Sequence, residues 1–330
     1  MKAILVQNDK DKSLVWSDVP DPVMKSDEVL VEIHAAAVNR ADLMQRAGDY
    51  PPPAGCPEWM GLEVAGKIVQ IGEEAKKTSS WKVGDGVCAL LGGGGYAEYV
   101  TVRYDMLMPI PEHCTMVEAA AIPEAFATSY LNLFIEGQAK QGETLLMQAG
   151  ASGLASVVIP MAKAFGLRVF TTVLNDKVAS SIAHLHADRV IVSSHEDLAL
   201  IMKEELEKGH GVNIAIDCLG GPMVAKCLPY MEREGRWIMI ATLAGDVSPI
   251  DLKTMYKRAT RIIGNTLRAR TPQMKAKILA SLVRDVWPKV SKGEVRPTIY
   301  KTLPIEKAEE AHAMLQRGES VGKVVLIVKE

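Results

Sequence analysis

The chain carries little net charge: 38 Lys and Arg against 40 Asp and Glu leave a formal balance of −2. Phosphate binding relies on clustered Lys and Arg, and with no broad basic stripe, nucleic acid is not an expected partner. Lys257-Arg258 with Arg261 forms only a short basic group, which reads as a solvated helix face. Long apolar runs are missing too. Runs such as Val324 to Val328 fall far short of the ~20 residues of a spanning helix, so no membrane partner is expected. Met1-Lys2-Ala3-Ile4-Leu5-Val6 lacks the apolar core and small-residue cleavage site of a secretory leader and reads as a first strand. The five cysteines, Cys56, Cys88, Cys114, Cys218 and Cys227, are odd in number and never form a C-x-x-C pair. That argues against a disulfide framework and for a reducing, cytoplasmic location. No internal repeat or low-complexity tract is present.

What is there is a globular mixture, 48% apolar and 24% charged over 330 residues, a length that suggests roughly two domains. The first third alternates short β-type runs, Val29 to His34, Glu63 to Ile71 and Tyr96 to Val102, with Gly- and Pro-rich turns. This reads as an antiparallel β unit. From about Pro123 apolar strands alternate with helical stretches, the mark of a parallel sheet built from βαβ units. Strands are expected at 144–148, 167–173, 188–192, 212–217 and 236–240, with a helix at 157–164. The last segment returns to mixed structure and ends in a strand from Lys323 to Val328. The boundaries expected are 1–122 with 265–330 for one domain and 123–264 for the other.

Gly150-Ala151-Ser152-Gly153-Leu154-Ala155 lies between an expected strand and an expected helix. Small residues there let the backbone approach a pyrophosphate, and the helix N-terminus supplies N–H donors and partial positive charge. An ordinary strand-to-helix turn is the other reading. After the next strand, Thr172-Val173-Leu174-Asn175 offers no carboxylate to the ribose hydroxyls, and Lys177 is near enough to pair with a 2′-phosphate. NADPH is therefore the expected cofactor. Asp176 would argue for NADH if the strand ran further, and Lys177 can equally be a solvated helix residue.

These motifs, in this order, resemble the medium-chain dehydrogenase/reductase superfamily over nearly the whole chain. Its zinc alcohol dehydrogenases carry Cys-x-x-Asp and Gly-His-Glu, where this chain has Asn39-Arg-Ala-Asp42 and Gly61-Leu62-Glu63. Both expected ligands are replaced, the four-cysteine structural loop is missing, and no metal site is expected. The chain is more similar to the zeta-crystallin-like quinone oxidoreductases. Asn39 to Arg46, Gly48-Asp49-Tyr50-Pro-Pro-Pro53, Ala119 to Ala125, Asp217-Cys-Leu-Gly-Gly221, Gly235-Arg-Trp237, Leu267-Arg-Ala-Arg270 and Gly322-Lys-Val-Val-Leu326 carry the resemblance. It implies an α/β fold, a GroES-like β-rich catalytic domain plus a Rossmann doubly wound parallel sheet.

The resemblance also implies hydride transfer from NADPH to a quinone or other electrophilic acceptor without a metal. An enal or enoyl reductase, or a low-turnover NADPH-binding protein, remain alternatives on the same fold. Tyr50 would lie beside the acceptor, with Asn39 and Asp42 shaping its pocket. Asp42 is otherwise a turn or capping residue, and Tyr50 a packing residue. For the cofactor the resemblance implies Thr128 near the carboxamide, the loop Gly150, Ala151, Ser152, Gly153 and Leu154, then Asn175 and Lys177, and backbone groups of Leu219, Leu243 and Leu267. Each leucine can instead be plain core. Lys323 would reach the cofactor, or be a solvated surface lysine. The chain departs from the family's loop pattern at Ser152, Ala155 and Pro160, and Pro160 is expected to kink its helix. Val173 and Leu174 are bulkier than the family's residues there, and the tyrosine of relatives is replaced near Ser193. A homodimer is expected by analogy, with the apolar strand Arg236 to Ala241 placed at a sheet edge where it would pair with its copy.

Overall fold

The computed structural model describes residues 1–318 and 320–329. The chain divides into two compact units, Met1–Ala127 with Arg270–Glu330, and Thr128–Ala269. Both crossings lie five residues later than the sequence boundaries after 122 and 264. The fold class is the expected α/β pairing of a GroES-like unit with a Rossmann sheet.

The strands in chain order are β1 Lys2–Val6, β2 Leu14–Asp18, β3 Glu28–Ala37, β4 Glu63–Ile71, β5 Gly86–Leu90, β6 Tyr99–Arg103 and β7 Leu107–Pro109. Then follow β8 Thr144–Met147, β9 Arg168–Val173, β10 Arg189–Val192, β11 Val212–Asp217, β12 Met231–Met239, β13 Arg261–Gly264, β14 Ile299–Pro304 and β15 Lys323–Ile327. In the first unit a seven-stranded sheet runs β14-β15-β3-β4-β5-β7, with β6 also on β3, and β1 pairs antiparallel with β2. β3 explains how this sheet buries one face: Val29, Val31 and Ile33 alternate inward while the residues between them stay half-exposed. Its last three residues, Ala35, Ala36 and Ala37, are all buried, which brings the chain into the interior just before Asn39.

The second unit is a six-stranded parallel sheet in the order β10-β9-β8-β11-β12-β13. The order reverses between β8 and β11, and in such sheets ligands bind beyond the strand ends at that reversal. Its central strands β8, β9 and β11 are buried on both faces, and all four residues of β8 are buried. Leu146, Phe170, Ile191, Ala215 and Trp237 form the centre of the core. Arg236, 7% exposed, is held there because Glu143 takes both of its terminal nitrogens at 3.0 and 2.7 Å and the Gly137 carbonyl takes its Nε at 2.8 Å.

Two expectations are corrected here. The strand at Arg236 is not an edge: β12 starts at Met231 and is paired on one side with β11 and on the other with β13, so the sheet's edges are β10 and β13. A strand this apolar belongs inside a sheet that is covered on both faces. Pro160 lies inside its helix, which spans Ala155–Ala164 and begins two residues earlier than expected, and it sits on the half-exposed side. The basic group is not simply solvated, because Arg258 donates twice to the Met231 carbonyl, at 2.9 and 2.6 Å, and Arg261 opens β13. Among the described residues all five cysteines are free thiols and no helix is long and apolar enough to cross a membrane.

Candidate active site

In the second unit the turn after β8 carries Gly150 to Leu154 into the helix Ala155–Ala164. Gly150 is required by packing: a Cβ there would stand 2.4 Å from Thr171 Oγ1 and 3.1 Å from Ile182 Cδ1. Ala149, at φ 57°, takes the left-handed conformation that starts the turn. The turn is tied to β9, with Ala149 N–H donating to Thr172 Oγ1 at 3.1 Å and Gly150 N–H to the Thr172 carbonyl at 2.8 Å. Ser152 N–H donates to the Ala149 carbonyl at 2.9 Å, and Ser152 Oγ accepts from Ala155 N–H at 3.1 Å. What is left over matters most. The N–H groups of Ala151, Gly153 and Leu154 have no acceptor among the described residues, and all three residues are half-buried. Unpaired donors at a helix start, on a turn of small residues, fit a pyrophosphate in kind and number.

β9 ends at Val173, Leu174 is 69% exposed, and Asn175 caps the helix Asp176–Ser181 by accepting from Val178 N–H at 3.1 Å. The strand therefore does not run on to Asp176, which opens the helix as an exposed residue beside the exposed Lys177. Asn175 uses its side-chain oxygen on the cap, so only its amide NH₂ is left to offer a ligand. Ser193 Oγ, near the family's tyrosine position, donates to the Val173 carbonyl at 3.0 Å.

The leucines separate. Leu267 is core, 6% exposed, whereas Leu243 is 61% exposed and cannot be a core leucine. Leu219 is half-buried, with its N–H on Asp217 Oδ1 at 2.7 Å and its carbonyl accepting from Ala244 N–H at 2.7 Å. Asp217, which sequence reasoning gave no role, organises this turn. It also accepts from Gly220 N–H at 3.1 Å and Trp237 Nε1 at 3.0 Å, and burial pushes its carboxyl above the usual range. Thr128 sits half-buried in the helix Pro123–Tyr130, and its carbonyl accepts from Asn132 Nδ2 at 2.8 Å.

The first unit brings Asn39, Asp42 and Lys323 together around Glu63. Lys323 is 4% exposed, and its ammonium donates to Glu63 Oε1 and to Asn39 Oδ1, each at 2.6 Å. The surface-lysine reading of Lys323 is thus overturned, because β15 starts in the sheet interior next to β3. Asn39 Nδ2 donates back to Glu63 Oε1 at 2.9 Å, and Glu63 Oε2 accepts from Glu124 N–H at 2.8 Å. Asp42, fully buried in the helix Arg40–Ala47, accepts from Asn39 N–H at 2.8 Å, Gly61 N–H at 3.1 Å and Tyr96 Oη at 3.2 Å. Its carboxyl is pushed up to about 6, burial outweighing these hydrogen bonds. With three donors on it, Asp42 is a capping and cross-linking residue. Tyr96 Oη also lies 3.3 Å from His312 Nε2, and burial pushes His312 down to about 3, so that ring is neutral.

Tyr50 is half-buried in the bend that follows the eight-residue helix Arg40–Ala47. Sequence reasoning missed Glu63, Glu124, Tyr96 and His312 as members of one network. The available signal was an acid placed in apolar surroundings, Glu63 before Val64-Ala65 and Glu124 inside Ala119 to Ala127.

Residues 25–112 match the alcohol dehydrogenase GroES-like domain, and residues 185–326 a family described as zinc-binding dehydrogenase. Among the described residues no group of three or more His, Cys, Asp or Glu side chains is placed to hold a metal ion. The chain is 30% identical to the quinone oxidoreductase of Mus musculus over 318 residues, 94% of this chain and 92% of that protein. It is 28% identical to a highly reducing polyketide synthase of Cordyceps militaris over 97% of this chain but only 12% of that longer protein. Among solved structures, the quinone oxidoreductase of Thermus thermophilus, studied also in complex with NADPH, gives a TM-score of 0.82 at 26% identity. That match covers 99% of this chain and 100% of the other.

Proposed function

The chain belongs to the quinone oxidoreductases of the medium-chain dehydrogenase/reductases, an NAD(P)H-dependent oxidoreductase family, and from that premise we propose that it reduces quinones with NADPH and without a metal ion. The observation that carries the metal-free reading is the Lys323 ammonium, 2.6 Å from both Glu63 and Asn39. It sets a buried positive charge on Asn39, one of the two positions where zinc relatives keep a ligand, and the other is the apolar Leu62. The Asn39 oxygen is already taken by that ammonium, and neither residue offers a thiolate or imidazole. A quinone needs no Lewis acid, because reduction restores an aromatic ring.

When bound, the nicotinamide cofactor would supply the hydride. The free N–H groups of Ala151, Gly153 and Leu154 would hold its pyrophosphate, and Lys177 its 2′-phosphate. NADPH is favoured over NADH because β9 ends at Val173 with no carboxylate to repel that phosphate. Tyr50 and Asn39 would shape the acceptor's surroundings, while Thr128 and the backbone at Leu219 and Leu243 would serve the nicotinamide end. Asp42, saturated with donors, would hold Asn39 in place. A homodimer would form through the free edge of β13, not through β12.

Stopped-flow NADPH oxidation with ortho-quinones, para-quinones and enals, with and without chelator, tests this. Turnover of quinones unaffected by chelator is expected. Loss of activity on chelation overturns the metal-free reading, and no turnover with any quinone overturns the substrate. The relative within a polyketide synthase favours a second reading, reduction of enoyl thioesters, which enals outpacing quinones would establish. Sedimentation tests the dimer, and a monomer at micromolar concentration refutes it.

A further inference from the structure

Gln148 is the last residue of the sheet before the turn that leads into the helix Ala155–Ala164. Its N–H donates to the Ile216 carbonyl at 3.1 Å, which carries the pairing of β8 with β11 one residue past Met147. Ala149 then starts the turn. Met147 lies in register with Thr171 on one side and Ile216 on the other, so Gln148 stands between Thr172 and Asp217. These polar residues, Gln148 at 2%, Thr172 at 7% and Asp217 at 0% exposure, line the ends of neighbouring strands where the sheet order reverses. Polar groups buried in such a row need partners, and two of the residues have them. Thr172 Oγ1 accepts from Ala149 N–H at 3.1 Å, and the Asp217 carboxyl accepts from Leu219 N–H, Gly220 N–H and Trp237 Nε1. Gln148 is the exception. Its side-chain Nε2 is buried and has no hydrogen-bond partner among the described residues.

A buried donor left unpaired costs the desolvation of that group, and a ligand that accepts from it recovers the cost. The kind of ligand follows from the neighbouring groups. The adjoining turn leaves the N–H groups of Ala151, Gly153 and Leu154 without acceptors at the start of the helix. These backbone groups and Gln148 Nε2 are all donors, and the helix start adds partial positive charge, which suits an anion rich in acceptor oxygens. The last torsion of a glutamine side chain is soft, so the amide can turn its NH₂ toward an anion laid on the turn. From this geometry we propose that Gln148 is a binding residue for the dinucleotide, its side-chain NH₂ donating to a diphosphate oxygen beside the backbone donors. The inference rests on the reading that the chain takes a nicotinamide dinucleotide, and it concerns residues of the second unit alone.

The two kinds of donor act differently. The backbone N–H groups belong to the turn itself, whereas Gln148 continues β8 and is fixed by the sheet through Ile216. Its bond ties the diphosphate to the parallel sheet. NADPH and NADH share that diphosphate, so Gln148 raises affinity for both and leaves the choice between them to residues beyond the end of β9.

The test pairs binding with stability in wild type, Gln148→Met and Gln148→Glu. Met keeps the length of the side chain without a donor, and Glu puts a carboxylate in its place. Fluorescence titration should show Gln148→Met binding NADPH and NADH each about tenfold more weakly, the loss of one hydrogen bond to a charged group. Gln148→Glu should bind both more weakly still, because its charge repels the diphosphate. Adenosine 2′-monophosphate carries no diphosphate, and its affinity, followed by displacement of NADPH, should be the same in all the proteins. Ligand-free Gln148→Met should denature at the same or a higher urea concentration than wild type, since an unpaired donor has left the interior. Unchanged NADPH affinity in either folded variant, or an equal loss for adenosine 2′-monophosphate, overturns the inference. A lower urea midpoint for ligand-free Gln148→Met also overturns it, because the amide is then spent on the fold, as through a buried water. Each of these results leaves the dinucleotide reading standing, whereas a wild-type protein that binds neither NADPH nor NADH overturns both.

Discussion

In the first unit the ammonium of Lys323 meets two acceptors at 2.6 Å and is 4% exposed, whereas in the second the N–H groups of Ala151, Gly153 and Leu154 meet none. One region spends its polar groups on each other and the other keeps donors in reserve. The difference has a physical cause. A buried charge without a partner costs several kcal/mol, so side chains in a sheet interior must be matched. Backbone N–H groups at a helix start on a half-exposed turn can be left to solvent or to an anion at little cost. A closed network holds geometry, and an open cradle binds.

The sharpest way to break this comparison is to remove one member of the closed network. Lys323→Met leaves the buried Glu63 charge without its cation, and should cost about 3–5 kcal/mol in chemical denaturation. Adding Glu63→Gln to it should recover much of that loss, since the stranded charge is gone. The cradle should respond differently. Gly150→Ala drives a Cβ against Thr171 Oγ1 and should cost about 1–3 kcal/mol, together with a clear loss of NADPH affinity read by fluorescence titration.

Asp42 sharpens the comparison through pH. Its carboxyl is raised in the folded chain to about 6, so the native state binds a proton more tightly than the unfolded one and stability falls as pH rises from about 4 to about 6. Asp42→Asn should flatten denaturation midpoints over that window, by about 1–3 kcal/mol. The smallest effect belongs to the exposed rim of the second unit. Lys177→Gln should weaken NADPH about fivefold, the ~1 kcal/mol of an exposed charge pair, and leave NADH unchanged. Equal weakening of both would place Lys177 away from the 2′-phosphate.

Much of this was legible in the residues themselves. β4 and β11 begin and end where their β-branched runs do, because each run is bounded by turn or polar residues. β12 begins five residues before the expected Arg236, at Met231, because Met231 pairs with Val212 of β11; Glu232 to Gly235 then form a bulge across which the register shifts, with Glu234 at φ 63°. The strand–turn–helix at Gly150 was likewise readable, but not which of its N–H groups stay free, since that depends on hydrogen bonds to β9, a separate strand. Asn39 and Asp42 could be singled out by their spacing. That Lys323, 284 residues from Asn39, would share a hydrogen bond with it could not.

The order of apolar periods and turn residues by itself determined an α/β chain with a β-rich unit around a parallel sheet, and the replaced ligand positions by themselves removed the zinc pattern. Only tertiary structure decided that β13, not β12, is an edge, that Asp42 caps and cross-links, and that one buried lysine pairs with Glu63 and Asn39. Local pattern follows from the backbone's own geometry over a few residues. The charge balance of a site depends on which distant residues the packed sheet places within a few ångströms of one another.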